Sequence, residues 1–432
     1  MAFALSGAGR CPVKRFEDYS LHLPVKTIAG EGSIKQLPDL LASLGSTHPL
    51  FIISRKASGT GIVELLGVAQ DPVILSAKEI SSNTASKLVE IYSTGHHDAI
   101  VAVGGGSVMD IAKTAKLMLS DSSRNPMQLE GLGGTTSTKH VPLIVIPTTL
   151  GSGSGGTKLA YVRNSITGTP LRIDDTGLFA EIALLDPKMS KSVSGTQTAY
   201  GVAAILGRAI ESMTSILSVP TTEAFAMQAL KLVVANSFRV VHTPHDLEAR
   251  LHIAIASQLA GSAISHTGGS IAHTLSIVLS QTTDISYGLG MRILLPHALR
   301  YNLAGTEPML ARLNSLMVFS NNLFADDPVE LEEDALLFIH WVSEFFTGLT
   351  SSVSPAIPSR FYDVMDQKGQ ERVLLPQQME AVATIAYDSL DLLTSRQQPT
   401  IQDLIRVLEA AYWGYPLDHN DGQFSHTHDQ KR

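Results

Sequence analysis

Between Val25 and about Pro187, short aliphatic and β-branched runs alternate with stretches of helical spacing, and each apolar run ends near Gly, Ser or Thr. The runs at 50–54 (LFIIS), 73–75, 99–103 (AIVAV), 143–146 (LIVI) and 182–185 (IALL) show no polar alternation, so each is predicted to be a strand buried on both faces, as in a parallel sheet flanked by helices. Between them, 33–44, 85–94 and 106–119 carry helical spacing; Ser107 is read as a helix cap, with Asp110 three residues on completing a capping box. Beyond Asp186-Pro187 the pattern changes to long helices at 199–217, 221–237, 247–259 and 271–279, followed by others to Trp413. The fold expected is therefore an α/β domain over 1–188, an all-α domain over 189–417 and a disordered polar tail over 418–432. The interruptions at 265–270 (SHTGGS) and 281–290 (QTTDISYGLG) are expected to face the cleft between the domains, where ligands usually bind.

Composition narrows the function more than the fold. A chain of 432 residues is too long for one comfortable core, which agrees with two domains. A formal charge of -8 provides no electrostatic footprint for nucleic acid and little attraction to an anionic membrane. The single cysteine, Cys11, excludes an internal disulfide framework or a Cys-rich metal module and fits a reducing compartment. No apolar run reaches the roughly eighteen residues needed to cross a bilayer, so no membrane span is expected and cytoplasm is the default location. The basic first fifteen residues are read as a frayed terminus rather than a targeting signal.

Two loops carry candidate chemistry. Gly104 to Gly106 follow a buried strand and lead into a helix, so backbone N–H groups and the positive helix end can face a phosphate with no Cβ in the way; a tight turn is an equal reading of the same glycines. The neighbouring strand ends in Pro147-Thr148-Thr149-Leu150-Gly151-Ser152-Gly153-Ser154, whose hydroxyls and amides can donate to phosphate or ribose. Two such loops at adjacent strand ends favour a nucleotide over coincidence.

Five stretches together resemble the group III, iron-containing alcohol dehydrogenases and their dehydroquinate synthase-like and maleylacetate reductase relatives. They are Gly30-Glu31-Gly32-Ser33, Ala102-Val-Gly-Gly-Gly-Ser-Val-Met-Asp110-Ile-Ala-Lys113, Pro147-Thr-Thr-Leu-Gly151, Leu184-Leu-Asp186-Pro187 and Leu294-Leu-Pro-His297-Ala-Leu-Arg300-Tyr-Asn302. The resemblance implies a dinucleotide-binding α/β domain, a helical substrate domain, NAD or NADP in the cleft, a small-molecule substrate and a homodimer formed through the N-terminal region. Gly105, Gly106, Ser107 and Asp110 resemble the pyrophosphate loop, and Thr148, Thr149 and Leu150 the second nucleotide loop. Where many NAD-using relatives place an Asp at the end of the first strand, this chain has Ser54-Arg55-Lys56; Arg55 suits a 2′-phosphate, which tilts the expectation to NADP.

The family's metal ligands are an Asp and a His one turn apart, a His opening HxxxHxxG and a later His-Gly. Anchored on the shared Ala-Ile-Glu, those positions hold Ala204, Arg208, Gly269 and Tyr287 here, while His273 matches the second histidine of the HxxxH pair. A guanidinium repels a cation and the set lacks donors, so no catalytic metal is expected. What remains for catalysis is Arg208 to bind and polarise an anionic oxygen, Tyr287 to donate a hydrogen bond or proton, and His273 as general acid, with His266 competing for that role. For Arg208 a salt bridge with Glu211 or Asp186 is an equal reading, and Lys158, Arg172, Asp174 and Asp175 read as ordinary loop charges. The expected activity is a metal-independent NAD(P)-dependent reductase or dehydrogenase acting on an oxygenated, carboxylated small molecule. A redox-neutral lyase or cyclase, or a non-catalytic nucleotide-binding protein, are the other readings.

Overall fold

The computed structural model describes residues 19–415 apart from 67–70, 77–78, 122–124, 134–139, 318–327, 352, 355 and 367. The N-terminal segment expected to fray and the expected polar tail lie outside the described residues.

The first half runs β1 (Lys26–Ala29), α1 (Leu37–Ser43), β2 (Pro49–Ser54), α2 (Arg55–Ser58), α3 (Ile62–Leu66), β3 (Val73–Leu75), α4 (Ser82–Thr94), β4 (Ala99–Gly104), α5 (Gly106–Ser120), β5 (Gly131–Leu132), β6 (Leu143–Pro147), β7 (Leu159–Arg163), β8 (Pro170–Asp174) and β9 (Ile182–Leu185). Six of these strands form one parallel sheet in the order β1-β9-β6-β4-β2-β3. The absence of polar alternation has the expected cause. Ile100 and Ala102 of β4 pack into the core on one face, and Val101 and Val103 into the core on the other. A Val or Ile side chain withdrawn from water in this way contributes about 1.5–3 kcal/mol, so a charge at any of the four positions would disrupt the sheet.

The 159–174 region, expected to be an irregular connection, instead forms an antiparallel hairpin, β7 with β8, to which β5 adds in parallel. Its turn is built by Asn164, whose side-chain oxygen accepts from the N–H groups of Ile166 and Thr167 at 2.9 and 3.3 Å, and by Gly168 at φ 77°. The hairpin places Tyr161 directly across from Arg172.

The second half is helical: α6 (Gly195–Thr214), α7 (Pro220–His242), α8 (Leu247–Thr267), α9 (Ile271–Thr282), α10 (Tyr287–Tyr301), α11 (Glu307–Met317), α12 (Pro328–Thr350), α13 (Met379–Tyr387) and α14 (Ile401–Trp413). Among the described residues α7 is the one helix long and apolar enough by composition to cross a membrane, although it holds no uninterrupted apolar run of that length; it packs against α6 and α8 within the helical core. The SHTGGS segment is shorter as a loop than expected, because α8 continues through Thr267 and breaks only at Gly268, where φ is 68°.

The two halves meet where the loop after β6 crosses α6 and α8. A Cβ on Gly201 of α6 would stand 1.5 Å from the Leu150 carbonyl oxygen, and one on Gly261 of α8 would stand 2.1 Å from that of Gly153. Only glycine lets backbone and helix approach this closely. Leu150 is buried in the helical core.

Candidate active site at the domain seam

Arg208 and Glu211 lie on α6, His273 near the start of α9 and Tyr287 at the first position of α10. The hairpin brings Tyr161 and Arg172 from the opposite domain, and Asp391 comes from the 3₁₀ turn ahead of α14. Arg208, Glu211, His273 and Asp391 are all buried. The His273 ring is held at both nitrogens, by the Tyr287 hydroxyl at 2.7 Å on Nδ1 and the Tyr161 hydroxyl at 3.0 Å on Nε2. Tyr161 donates to Asp391 at 2.7 Å, and Arg172 Nε donates to the other Asp391 oxygen at 3.0 Å.

The direction of every proton in this chain follows from its far end. Burial would raise the Asp391 pKa, but Arg172 and the Tyr161 hydrogen bond together hold it below the usual carboxylate value. An ionised Asp391 only accepts, so the single Tyr161 proton points to it, and the Tyr161 oxygen must accept from His273 Nε2–H. Nδ1 is then bare and accepts from Tyr287. Burial pulls the His273 pKa down to about 4, with Asp391 pulling up and the two arginines down, so the ring is neutral at pH 7, as this pattern needs. Burial likewise pushes the Tyr287 hydroxyl up to about 12 and Tyr161 well above its ordinary value, keeping both protonated.

Glu211 accepts from the backbone N–H groups of Ala272 and His273 at 3.0 and 3.2 Å, which fixes the start of α9 and with it the ring of His273. Burial, outweighing those two donors, pushes its pKa up to about 8.

Arg208 differs from the rest. Its guanidinium lies 5.0 Å from the centre of the Tyr287 ring, and its Nη1 is buried without a hydrogen-bond partner. The salt bridge considered for it does not form: Glu211 faces the α9 backbone, and Asp186 caps Lys188 N–H at 3.0 Å and accepts from Ile34 N–H at 3.1 Å. A buried guanidinium N–H left open is costly, and a ligand oxygen is the partner it suits.

The residues expected at the nucleotide divide into two groups. Gly105, Gly106, Ser107 and Thr149 remain at the accessible mouth of the β4–α5 turn. The Ser107–Asp110 capping box does not exist: the cap of α5 is Gly105, with no side-chain cap, so the first amides of a fifteen-residue helix are left for a ligand. A Cβ on Gly105 would stand 3.0 Å from Thr149 Oγ1 and would crowd that cradle. Asp110, in contrast, is turned to structural use. One oxygen accepts from Ser154 Oγ and the other from Tyr161 N–H at 3.2 Å. Lys113 Nζ donates to Ser154 O, Ser154 Oγ, Thr157 Oγ1 and Leu159 O, all within 2.7–2.9 Å. Thr148 and Leu150 are buried, and the loop glycines 151 and 153 serve the helix crossing.

Arg55 is exposed and paired with Glu79 at 3.3 Å. Hydrogen bonds from Ser76, with Arg55 adding to them, bring the Glu79 carboxyl down to about 2, so a carboxylate offsets the cation at the end of β2. His266 is bound at both nitrogens by the Ser262 and His22 carbonyls, at 2.9 and 3.2 Å, and takes no part in the His273 chain. Sequence reasoning missed Tyr161, Arg172, Glu211 and Asp391. The alternating LAYVR before an NSITG turn could have shown the hairpin and hence Tyr161, but Asp391, 118 positions beyond His273, left no signal.

The first half of the chain, residues 24–187, matches the family described as iron-containing alcohol dehydrogenase, and residues 198–412 match the C-terminal domain of the same family. The chain belongs to the iron-containing alcohol dehydrogenase family. It is thereby an oxidoreductase of a nicotinamide-dependent family. It is 25% identical over 399 residues to the NAD-dependent methanol dehydrogenase of Bacillus methanolicus, covering 90% of this chain and 98% of that protein. It is 29% identical over 287 residues to long-chain-alcohol dehydrogenase 1 of Geobacillus thermodenitrificans, covering 64% and 72%. Among solved structures, the alcohol dehydrogenase from Oenococcus oeni superposes with a TM-score of 0.81 at 22% identity over 91% of this chain and all of that one. The sulfoacetaldehyde reductase from Bifidobacterium kashiwanohense in complex with NAD+ gives 0.70 at 22% identity, over 92% and 99%.

The iron that the family name implies does not fit these residues. Among the described residues no group of three or more His, Cys, Asp or Glu side chains converges on a metal-sized space. The two ring nitrogens of His273 are already engaged with tyrosine hydroxyls, and a guanidinium lies in their midst. A Cβ on Gly269 would stand 2.5 Å from His273 Cδ2, so the His273 ring fills space that a side chain at position 269 would need.

Proposed function

We propose that this chain is an NAD-dependent oxidoreductase that interconverts an alcohol and a carbonyl on a small, carboxylate-bearing molecule without a metal ion. The observation that carries the reading is the open, buried Nη1 of Arg208 beside a hydrogen-bonded chain that ends in a carboxylate. NAD is favoured over NADP because Glu79 offsets Arg55 where a 2′-phosphate would lie, and because a carboxylate at this strand end suits ribose hydroxyls. The methanol dehydrogenase relative, NAD-dependent by name, supports the same choice.

The nicotinamide, when bound, supplies the acceptor or donor of hydride. Gly105, Gly106, Ser107 and Thr149 hold the dinucleotide phosphates at the uncapped start of α5. Arg208 binds a substrate oxygen and stabilises negative charge on it, the task a metal performs elsewhere. Tyr287 exchanges the proton of that oxygen. As arranged, the chain is set to accept: Tyr287 passes its proton to the bare Nδ1 of His273 as it takes one from an alcohol, and the resulting imidazolium faces Asp391, whose Oδ2 lies 4.0 Å from Nε2. Carbonyl reduction runs the same transfers backwards. Glu211 is a positioning residue, acting through the backbone of α9.

The test is nicotinamide absorbance during incubation of the purified protein with panels of hydroxy acids and of unsubstituted alcohols, before and after exhaustive treatment with a chelator. Turnover preferring hydroxy acids and surviving chelation is expected. Activity abolished by chelation and restored by Fe²⁺ or Zn²⁺ would end the metal-independent reading, and a preference for uncharged alcohols the carboxylate one.

A further inference from the structure

A second cavity of about 630 Å³ opens in the helical domain, between α10, α12, the segment 358–363 and the end of α14. It has the size of a small-molecule site. Three arginines, Arg292, Arg300 and Arg360, line it against one carboxylate, Asp363, on a protein whose formal charge is -8. Arg360 engages that carboxylate through two hydrogen bonds, at 2.7 and 3.3 Å.

Arg292 is the decisive residue. It is 7% exposed, its Nη1 donates to the Pro358 carbonyl and its Nη2 to Thr350 Oγ1 at 3.3 Å, and its Nε is buried with no partner. No carboxylate among the described residues lies within ion-pair distance of it. Arg250 shows the contrast: it is fully buried, but its Nε, Nη1 and Nη2 all reach backbone carbonyls, those of Pro244, Ser190 and Val193, as a purely structural arginine should. Burial without a counter-charge pulls the Arg292 pKa down to about 10, which leaves it a cation at neutral pH. Trp413 and Tyr415, 41% and 50% exposed, stand at the rim and offer flat faces to a ring.

We infer that this groove is a second ligand site, separate from the domain seam, for a small organic anion that carries a phosphate or carboxylate on an aromatic ring. The anionic group pairs with Arg292, and the ring lies against Trp413. Arg360 keeps Asp363 from repelling the ligand.

The chain has two tryptophans, Trp341 and Trp413, so in a Trp341→Phe background tryptophan emission reports on the groove alone. That protein is titrated with phenyl phosphate, benzoate and inorganic phosphate. Saturable quenching by phenyl phosphate or benzoate is expected, the tighter of the two identifying the anionic group, with at least fivefold weaker binding in Arg292→Met and in the exposed Arg360→Ala, and no change in Arg208→Met. Unchanged affinity in both groove variants, or weakening in Arg208→Met, would place the ligand elsewhere. An absence of saturable quenching would remove the site, and inorganic phosphate binding as tightly as phenyl phosphate would remove the aromatic class.

Discussion

Two clusters of buried charge meet near the domain seam, and they are built differently. Around Lys113 every ammonium proton has an oxygen to meet, and both oxygens of Asp110 are taken; the cluster pins the 154–161 segment to α5. Around Arg208 a guanidinium nitrogen is left open, as is Nη1 of Arg172. Burying an unsatisfied donor costs about 1–3 kcal/mol, a cost that a ligand oxygen at the second cluster would remove. The first cluster is therefore scaffold, and the second is the one proposed as the site. The same distinction separates Arg250 from Arg292.

The contrast is most directly broken at Lys113. Lys113→Met removes the buried counter-charge 3.7 Å from Asp110 and the donor shared by Ser154 O and Leu159 O, and a loss of about 3–5 kcal/mol in unfolding free energy is expected by denaturant titration. A loss below 1 kcal/mol would mean that the cluster holds nothing. Arg208→Met should behave in the opposite way: unfolding free energy unchanged or raised, because an incompletely paired buried charge is removed, and kcat lowered by about 10²–10³-fold. Equal loss of stability and rate would make Arg208 scaffold too.

Tyr161→Phe tests whether the chain of hydroxyls conducts. It leaves His273 Nε2 without an acceptor, and kcat for alcohol oxidation should fall by about 10-fold or more with KM little changed. With His273 neutral down to about 4, the wild-type rate should be level from pH 5.5 to 8 on its account, losing activity only below that range. An acid limb near 6.5 would show that the ring is not buried as described.

A pH-dependent effect concerns Glu211. Its folded pKa of about 8 lies above the ordinary 4.5, so the folded state binds the extra proton between these values, and the stability present below pH 4.5 is lost progressively as pH rises to 8. Glu211→Gln removes this slope. The difference in Tm, variant minus wild type, should grow from pH 5 to 8 and level off above it; a difference independent of pH would show that Glu211 is ionised throughout.

Much of this was legible in the chain. The apolar runs at 50–54, 99–103 and 143–146 have no polar face to offer, which forces burial on both sides and a parallel sheet, and β2, β4 and β6 follow. Arg208, His273 and Tyr287, far apart in sequence, do converge. The roles of Asp110 and of the loop glycines were misread, because a motif shows which residue types recur and not whether a carboxylate faces a phosphate or the next strand.

The sequence by itself determined the buried strands β2, β4 and β6 and the two-part architecture, since periodicity is a local property of residue types. Only the tertiary structure decided that Tyr161, Arg172 and Asp391 join His273, that Arg208 forms no ion pair with Glu211 or Asp186, and that Glu79 answers Arg55. Hydrogen bonds and desolvation depend on separation in space, and residues 161, 273 and 391 become neighbours only when hairpin, helix and final turn have packed together.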